Sequence, residues 1–161
     1  MSITSKQNIA PHLWFNDRAE EAIRFYTGLF PNSTITNLKK WGPGTPFPEN
    51  LIMIGTFVID GLAVQAFDAG PEFTFNESVS FVVSCKTQAE IDKYWYQLTE
   101  DGGQESQCGW VKDKFGFSWQ IVPEMLVEKL NGEPARAARM FQAVMKMKKL
   151  NIRELEDAYN M

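Results

Sequence analysis

The chain has 161 residues, of which 44% are hydrophobic and 22% charged, with a formal net charge of −4 and a single histidine. That length and balance fit one ordinary globular domain able to bury a core. The acidic balance argues against a nucleic-acid partner, which needs a basic face, and no stretch approaches the roughly 20 apolar residues of a membrane span.

Residues 9–15 read as a first strand. Asp17, with Glu20 three residues on, makes a capping box for a helix whose Ala19, Ala22, Ile23, Tyr26 and Phe30 form one apolar stripe. Pro31-Asn32-Ser33 ends that helix. Strands are expected over 34–41, 51–59 and 62–67, the last two joined by the hairpin signal Asp60-Gly61. Gly42-Pro43-Gly44-Thr45-Pro46 is a loop by composition.

The pattern then repeats. Residues 78–84 alternate as a strand. Thr87 with Glu90 is a second capping box, and Ile91, Tyr94, Trp95 and Leu98 form the stripe of a second helix, stopped by Asp101-Gly102-Gly103. A weak strand over 104–107, then strands over 108–112 and 117–122, complete the half, with Asp113 to Gly116 as the turn before the last. Ala19-Glu20 and Phe25-Tyr26 share their spacing with Ala89-Glu90 and Trp95-Tyr96 at an offset of 70. Together with the matched element order this supports an internal duplication.

After Pro123 the character changes. Pro134 suits a helix's first turn. Ala137, Met140, Phe141, Val144, Met145 and Lys148 follow a helical period, and the basic run Lys146, Lys148 and Lys149 reads as a solvated face of that helix. Asn151 with Glu154 starts a last helix, with Ile152, Leu155 and Tyr159 on one face. The methionine-rich stripe reads as core or subunit interface. The apolar surface of these helices exceeds one packing face, so a homodimer is expected. The expected organisation is a single α+β domain over 1–161: a βαβββ module over 9–67, a second over 78–123, and a helical tail over 124–161.

The N-terminal stretch to Asn8 is polar, and Cys85 and Cys108 form no C-x-x-C. Two reduced thiols and a cytoplasmic location are expected. Cys108 beside Gly109-Trp110 reads as an inert thiol, since the chain has one histidine to serve as a base.

Pro11-His12-Leu13-Trp14-Phe15 followed by Ala19-Glu20-Glu21-Ala22-Ile23-Arg24-Phe25-Tyr26 resembles the opening of PhnB-like proteins. So does the run from Cys108 through Trp110, Asp113, Gly116, Trp119 and Gln120 to Pro123. These proteins are often called the 3-demethylubiquinone-9 3-methyltransferase family. They are similar to the glyoxalase, bleomycin-resistance and extradiol-dioxygenase proteins of the vicinal-oxygen-chelate superfamily. The resemblance covers about residues 9–123. It implies paired βαβββ modules, each an incomplete barrel with its helix on the convex face and the ligand in the concave one.

The same resemblance implies metal-ligand positions at about Ala10, Gln65, Ser80 and Gln120. A catalytic divalent metal wants two or three imidazole or carboxylate donors. Ala10 offers none, the others are neutral, and one histidine cannot make a two-histidine triad. No metal and no cofactor are therefore expected, and the metal-dependent activities of the superfamily are not implied.

By strand alternation His12 faces the same way as Ala10. It reads either as a general acid or base or as a hydrogen-bonded histidine without chemistry; the second is favoured because a lone base needs a partner. Gln65, Ser80, Ser118 and Gln120 should line the same concavity, with Trp14 beside them, while Phe117, Trp119 and Ile121 pack under the second helix. The four uncharged residues either orient a small molecule or satisfy one another and buried water. Gly42 and Gly44, like Gly102 and Gly103, do not sit in a strand-to-helix turn, so the methyltransferase name gains no support from a nucleotide-cofactor motif. The expected function is a pocket that binds or sequesters a small organic molecule. The alternative is a small-metabolite isomerase or lyase using His12.

Overall fold

The computed structural model describes residues 7–161. The chain divides into two units, Met1–Phe75 and Asn76–Met161. The first contains β1 (His12–Phe15), α1 (Ala19–Leu29), β2 (Thr34–Lys40), β3 (Ile52–Ile59) and β4 (Leu62–Asp68). Its sheet runs β1-β4-β3-β2, with β1 parallel to β4 and the other pairs antiparallel. The hairpin between β3 and β4 closes on Asp60 and Gly61, both at positive φ (43° and 83°), as a two-residue turn that matches strand twist requires.

The stripe of α1 is buried as expected at Ala19, Ala22, Ile23 and Tyr26; Leu29 is buried with them, and Phe30, also buried, is the residue that caps the helix end. Gly55 lies beneath α1, where a Cβ would meet the Cδ1 of Ile23 and crowd the Ala66 carbonyl. The start of α1 departs from the sequence reading. Arg18, not Asp17, is the capping residue, and it makes no side-chain cap bond. Glu20 instead pairs with Arg24 at 2.7 Å. The buried first-turn N–H of Ala19 donates to the Oδ1 of Asp68, at 2.8 Å, while Oδ2 accepts from Ile52 N at 2.8 Å. A buried carboxylate at the end of β4 thus does the work that a local cap does elsewhere.

The second unit repeats the order: β5 (Ser80–Cys85), α2 (Gln88–Thr99), β6 (Gln104–Glu105), β7 (Trp110–Lys112) and β8 (Ser118–Pro123). Its sheet runs β5-β8-β7-β6, with β5 parallel to β8. Here the capping box is present as expected: the Thr87 side chain accepts from Glu90 N, and the Glu90 carboxylate accepts from Thr87 N. The duplication extends to register. His12 pairs with Gln65, and Val82, 70 positions after His12, pairs with Gln120. Neither sheet closes into a barrel among the described residues.

The strand expected over 108–112 begins two residues later, because Cys108 and Gly109 both take positive φ (60° and 83°), although the Gly109 carbonyl still accepts from Ile121 N at 2.7 Å. Their N–H groups donate instead to the carbonyls of Met147 and Lys148, at 2.7 and 2.8 Å. The turn before β8 is organised by Asp113. Its Oδ1 accepts from the N–H groups of Phe115 and Phe117, and its Oδ2 accepts from the indole Nε1 of the buried Trp119 at 2.8 Å.

The tail holds three helices, α3 (Met125–Leu130), α4 (Pro134–Val144) and α5 (Ile152–Asn160). The first of these was not expected. Val122, Leu126, Met140, Val144, Leu150, Leu155 and Tyr159 form its core. Lys146, Lys148 and Lys149 do not form a helix face, because α4 ends before them. Lys149 reaches Asp92 at 2.6 Å and the Tyr96 hydroxyl at 3.0 Å, and Lys148 reaches Glu105 at 3.7 Å. No helix among the described residues is long and apolar enough to cross a membrane.

Candidate functional site

In the first unit, Leu13 and Phe15 of β1 are buried, so His12 and Trp14 emerge on the opposite face. β4 places Gln65 opposite His12, and β3 places Thr56 opposite Gln65. With Asn37 opposite Thr56 on β2, a row of polar residues crosses all four strands. Thr36 and Thr56 share a hydrogen bond between hydroxyls (2.8 Å), and they line a shallow recess with Ala10 and Gln65.

Aromatic rings flank that row. Phe67 meets His12 and Trp14 edge-on at 4.7 and 4.8 Å between centroids, and Phe73 meets Trp14 at 4.9 Å. The Trp14 indole is fixed by donating to the Gly70 carbonyl at 2.8 Å. The His12 imidazole is exposed, and among the described residues it makes no hydrogen bond or ion pair.

In the second unit, Trp119 and Ile121 of β8 are buried as expected, Phe117 is buried just before it, and Gln120 faces the other way. The Gln120 amide donates to the Ser80 hydroxyl at 2.9 Å. Ser80 pairs with Ser118, Ser118 with Lys112, and Lys112 with Gln104, so a second polar row crosses four strands. Ser118 is 1% exposed, and its Oγ has no hydrogen-bond partner among the described residues.

The sequence-derived residues therefore fall into two sets. His12, Trp14 and Gln65 share one sheet face of the first unit. Ser80, Ser118 and Gln120 share one sheet face of the second. Thr36, Thr56, Phe67 and Phe73 were missed. Phe67 could have been found by counting two residues on from Gln65 along its strand. Thr56 needed the cross-strand register, which sequence does not supply.

The positions that would hold a metal do not fit one. Ala10 has no donor atom, and the amide of Gln120 is engaged with the neutral hydroxyl of Ser80. Among the described residues no group of three or more His, Cys, Asp or Glu side chains is placed to bind a metal ion.

The family model for 3-demethylubiquinone-9 3-methyltransferase matches residues 7–122, well over half of the chain. Among solved structures, the PhnB protein of Bacillus cereus, which carries the same family name, is 32% identical. The match covers 73% of this chain and 99% of that one, with a TM-score of 0.68. A protein from Pseudomonas aeruginosa is 24% identical over 74% of this chain and 98% of its own, with a TM-score of 0.61. A fosfomycin resistance protein from Mesorhizobium loti shares the fold at 14% identity, over 79% of this chain and 98% of its own, with a TM-score of 0.56. Comparison with curated proteins gives no match.

Proposed function

The chain belongs to the 3-demethylubiquinone-9 3-methyltransferase family of PhnB-type proteins, with a vicinal-oxygen-chelate fold, and from that premise we propose that it binds a small organic molecule without a metal. The observation that carries this reading is the hydrogen bond from Gln120 to Ser80. Where the superfamily would place charged metal donors, this chain pairs two neutral groups able to orient a ligand's oxygen atoms. On the first unit the exposed His12 and half-buried Gln65 offer the same chemistry beside aromatic rings.

Methyl transfer gains no support from the turns. The strand-to-helix connections after β1, β5 and β8 contain no glycine, whereas Gly42 and Gly44 lie between β2 and β3, and Gly102 and Gly103 between α2 and β6. An isomerase or lyase using His12 would need a partner for the imidazole. A reducing, cytoplasmic setting belongs to the same proposal, supported by the two free thiols.

A thermal-shift screen of small oxygenated metabolites, run in excess chelator, tests the reading. A ligand at 100 times its Kd should stabilise the protein by about 2.7 kcal/mol. His12→Ala or Gln65→Ala reads the first face and Gln120→Ala the second, and each contacting residue should weaken the shift several-fold. A shift that appears only when a divalent metal is added would sink the idea.

We also propose a homodimer through the tail, where Phe141 remains 52% exposed on α4. Sedimentation at micromolar concentration should give a dimer, and Phe141→Lys a monomer. A monomeric wild type overturns the proposal.

A further inference from the structure

We propose that Cys108 and Met145 form a site for a soft monovalent metal cation, of the copper(I) and silver(I) class. The Cys108 thiol points at the Met145 thioether, with the two sulfurs 3.7 Å apart. Thiolate and thioether are soft donors that favour such cations over magnesium or calcium, and two sulfurs fall short of the three or four protein donors that zinc takes. Two metal–sulfur bonds of about 2.3 Å, the length of a zinc–thiolate bond, span up to about 4.6 Å between sulfurs. A separation of 3.7 Å therefore admits both bonds at a bent angle and leaves the outward side open for a further ligand.

The pair is held in place by the backbone. Cys108 sits at positive φ, which no strand would impose, and its N–H donates to the Met147 carbonyl at 2.7 Å. The next residue, Gly109, donates to Lys148 at 2.8 Å, so two short bonds lock the cysteine loop to the segment after α4. A Cβ at Gly109 would crowd the Ile121 carbonyl and the Leu150 side chain, so the loop's path is closely set. Met145 caps the C-terminal end of α4 and is 56% exposed, which gives a metal access. The surroundings are also sulfur-rich: Met125, Met140 and Met147 belong to or pack against the same apolar cluster as Cys108.

Binding is a proton-for-metal exchange. As the Sγ–metal bond forms, the thiol proton leaves to solvent; the thioether donates a lone pair, and no electron is transferred. Cys85 is an internal control, since burial pushes its thiol up to about 12 and disfavours the thiolate.

Silver(I) is a suitable probe because it needs no reductant. Native mass spectrometry of the full chain, titrated in competition with N-acetylcysteine, should show one silver ion per chain. Cys108→Ser and Met145→Leu should each lower affinity at least tenfold, and Cys85→Ser should leave it unchanged. Met145→Leu keeps the thiol, and iodoacetamide labelling of Cys108 in that variant confirms that the loop is intact. If Cys108→Ser does not fold, wild type alkylated at Cys108 takes its place. Wild-type affinity in Met145→Leu would reduce the site to an ordinary thiolate and overturn the proposal, as would silver carried by Cys85.

Discussion

Asp113→Ala should destabilise the protein by roughly 2–6 kcal/mol, since each buried donor left unsatisfied costs about 1–3 kcal/mol and this carboxylate serves two buried donors and a part-buried one. Those donors are the N–H groups of Phe115 and Phe117 and the indole Nε1 of Trp119, and Asp113 itself is 3% exposed. Its loss would loosen the turn that sets where β8 begins, and with it the register that puts Gln120 on one face and Trp119 on the other. Asp113→Asn keeps one acceptor for the two backbone groups but can turn its amide NH2 toward the Trp119 indole. It should cost about half as much as alanine. Urea unfolding followed by circular dichroism reads both values, and a loss below about 1 kcal/mol for alanine would show that the turn holds without its carboxylate.

Asp68→Ala should cost roughly 2–5 kcal/mol, because it strands the N–H groups of Ala19 and Ile52 in a site where the carboxylate is 1% exposed. This residue also carries a pH signature of unusual sign. Burial raises its carboxyl above the ordinary value of 3.8, against the lowering effect of the two backbone hydrogen bonds. The folded state thus holds the proton more tightly than the unfolded chain. Its contribution is fully present below about 3.8 and declines as pH rises through that value toward the raised folded one. The stability gap between wild type and Asp68→Asn should accordingly narrow from acid to neutral pH, measured by urea unfolding at each. A gap that widens as pH rises would mean that the two backbone bonds outweigh desolvation.

These two aspartates show where sequence reasoning reached and where it stopped. Asp113 was legible as a turn residue four positions before a buried strand. That its other oxygen ties the Trp119 indole was not, because a side-chain contact across six residues depends on how the turn folds back. Asp68 was not singled out at all. Its partners lie 49 and 16 residues away, and a local rule assigned the capping of α1 to Asp17, which left Ala19 to be satisfied by a distant group. The same limit explains α3 and the lysines after α4. The helical period of the tail was read as running through Lys148, but the chain leaves α4 at Met145, and its backbone bonds to Cys108 and Gly109 instead.

The sequence by itself determined the α+β class, the repeated strand–helix–strand order, the stripes of both crossover helices and the neutral character of the residues at the superfamily's ligand positions. Each is set by local periodicity, turn chemistry or residue identity, and needs no knowledge of what lies across the sheet. Tertiary structure alone decided the cross-strand rows from His12 to Asn37 and from Ser80 to Gln104, the capping of α1 by Asp68 and the approach of Cys108 to Met145. Those depend on register and on long-range closure, where one residue of slip turns every side chain to the other face.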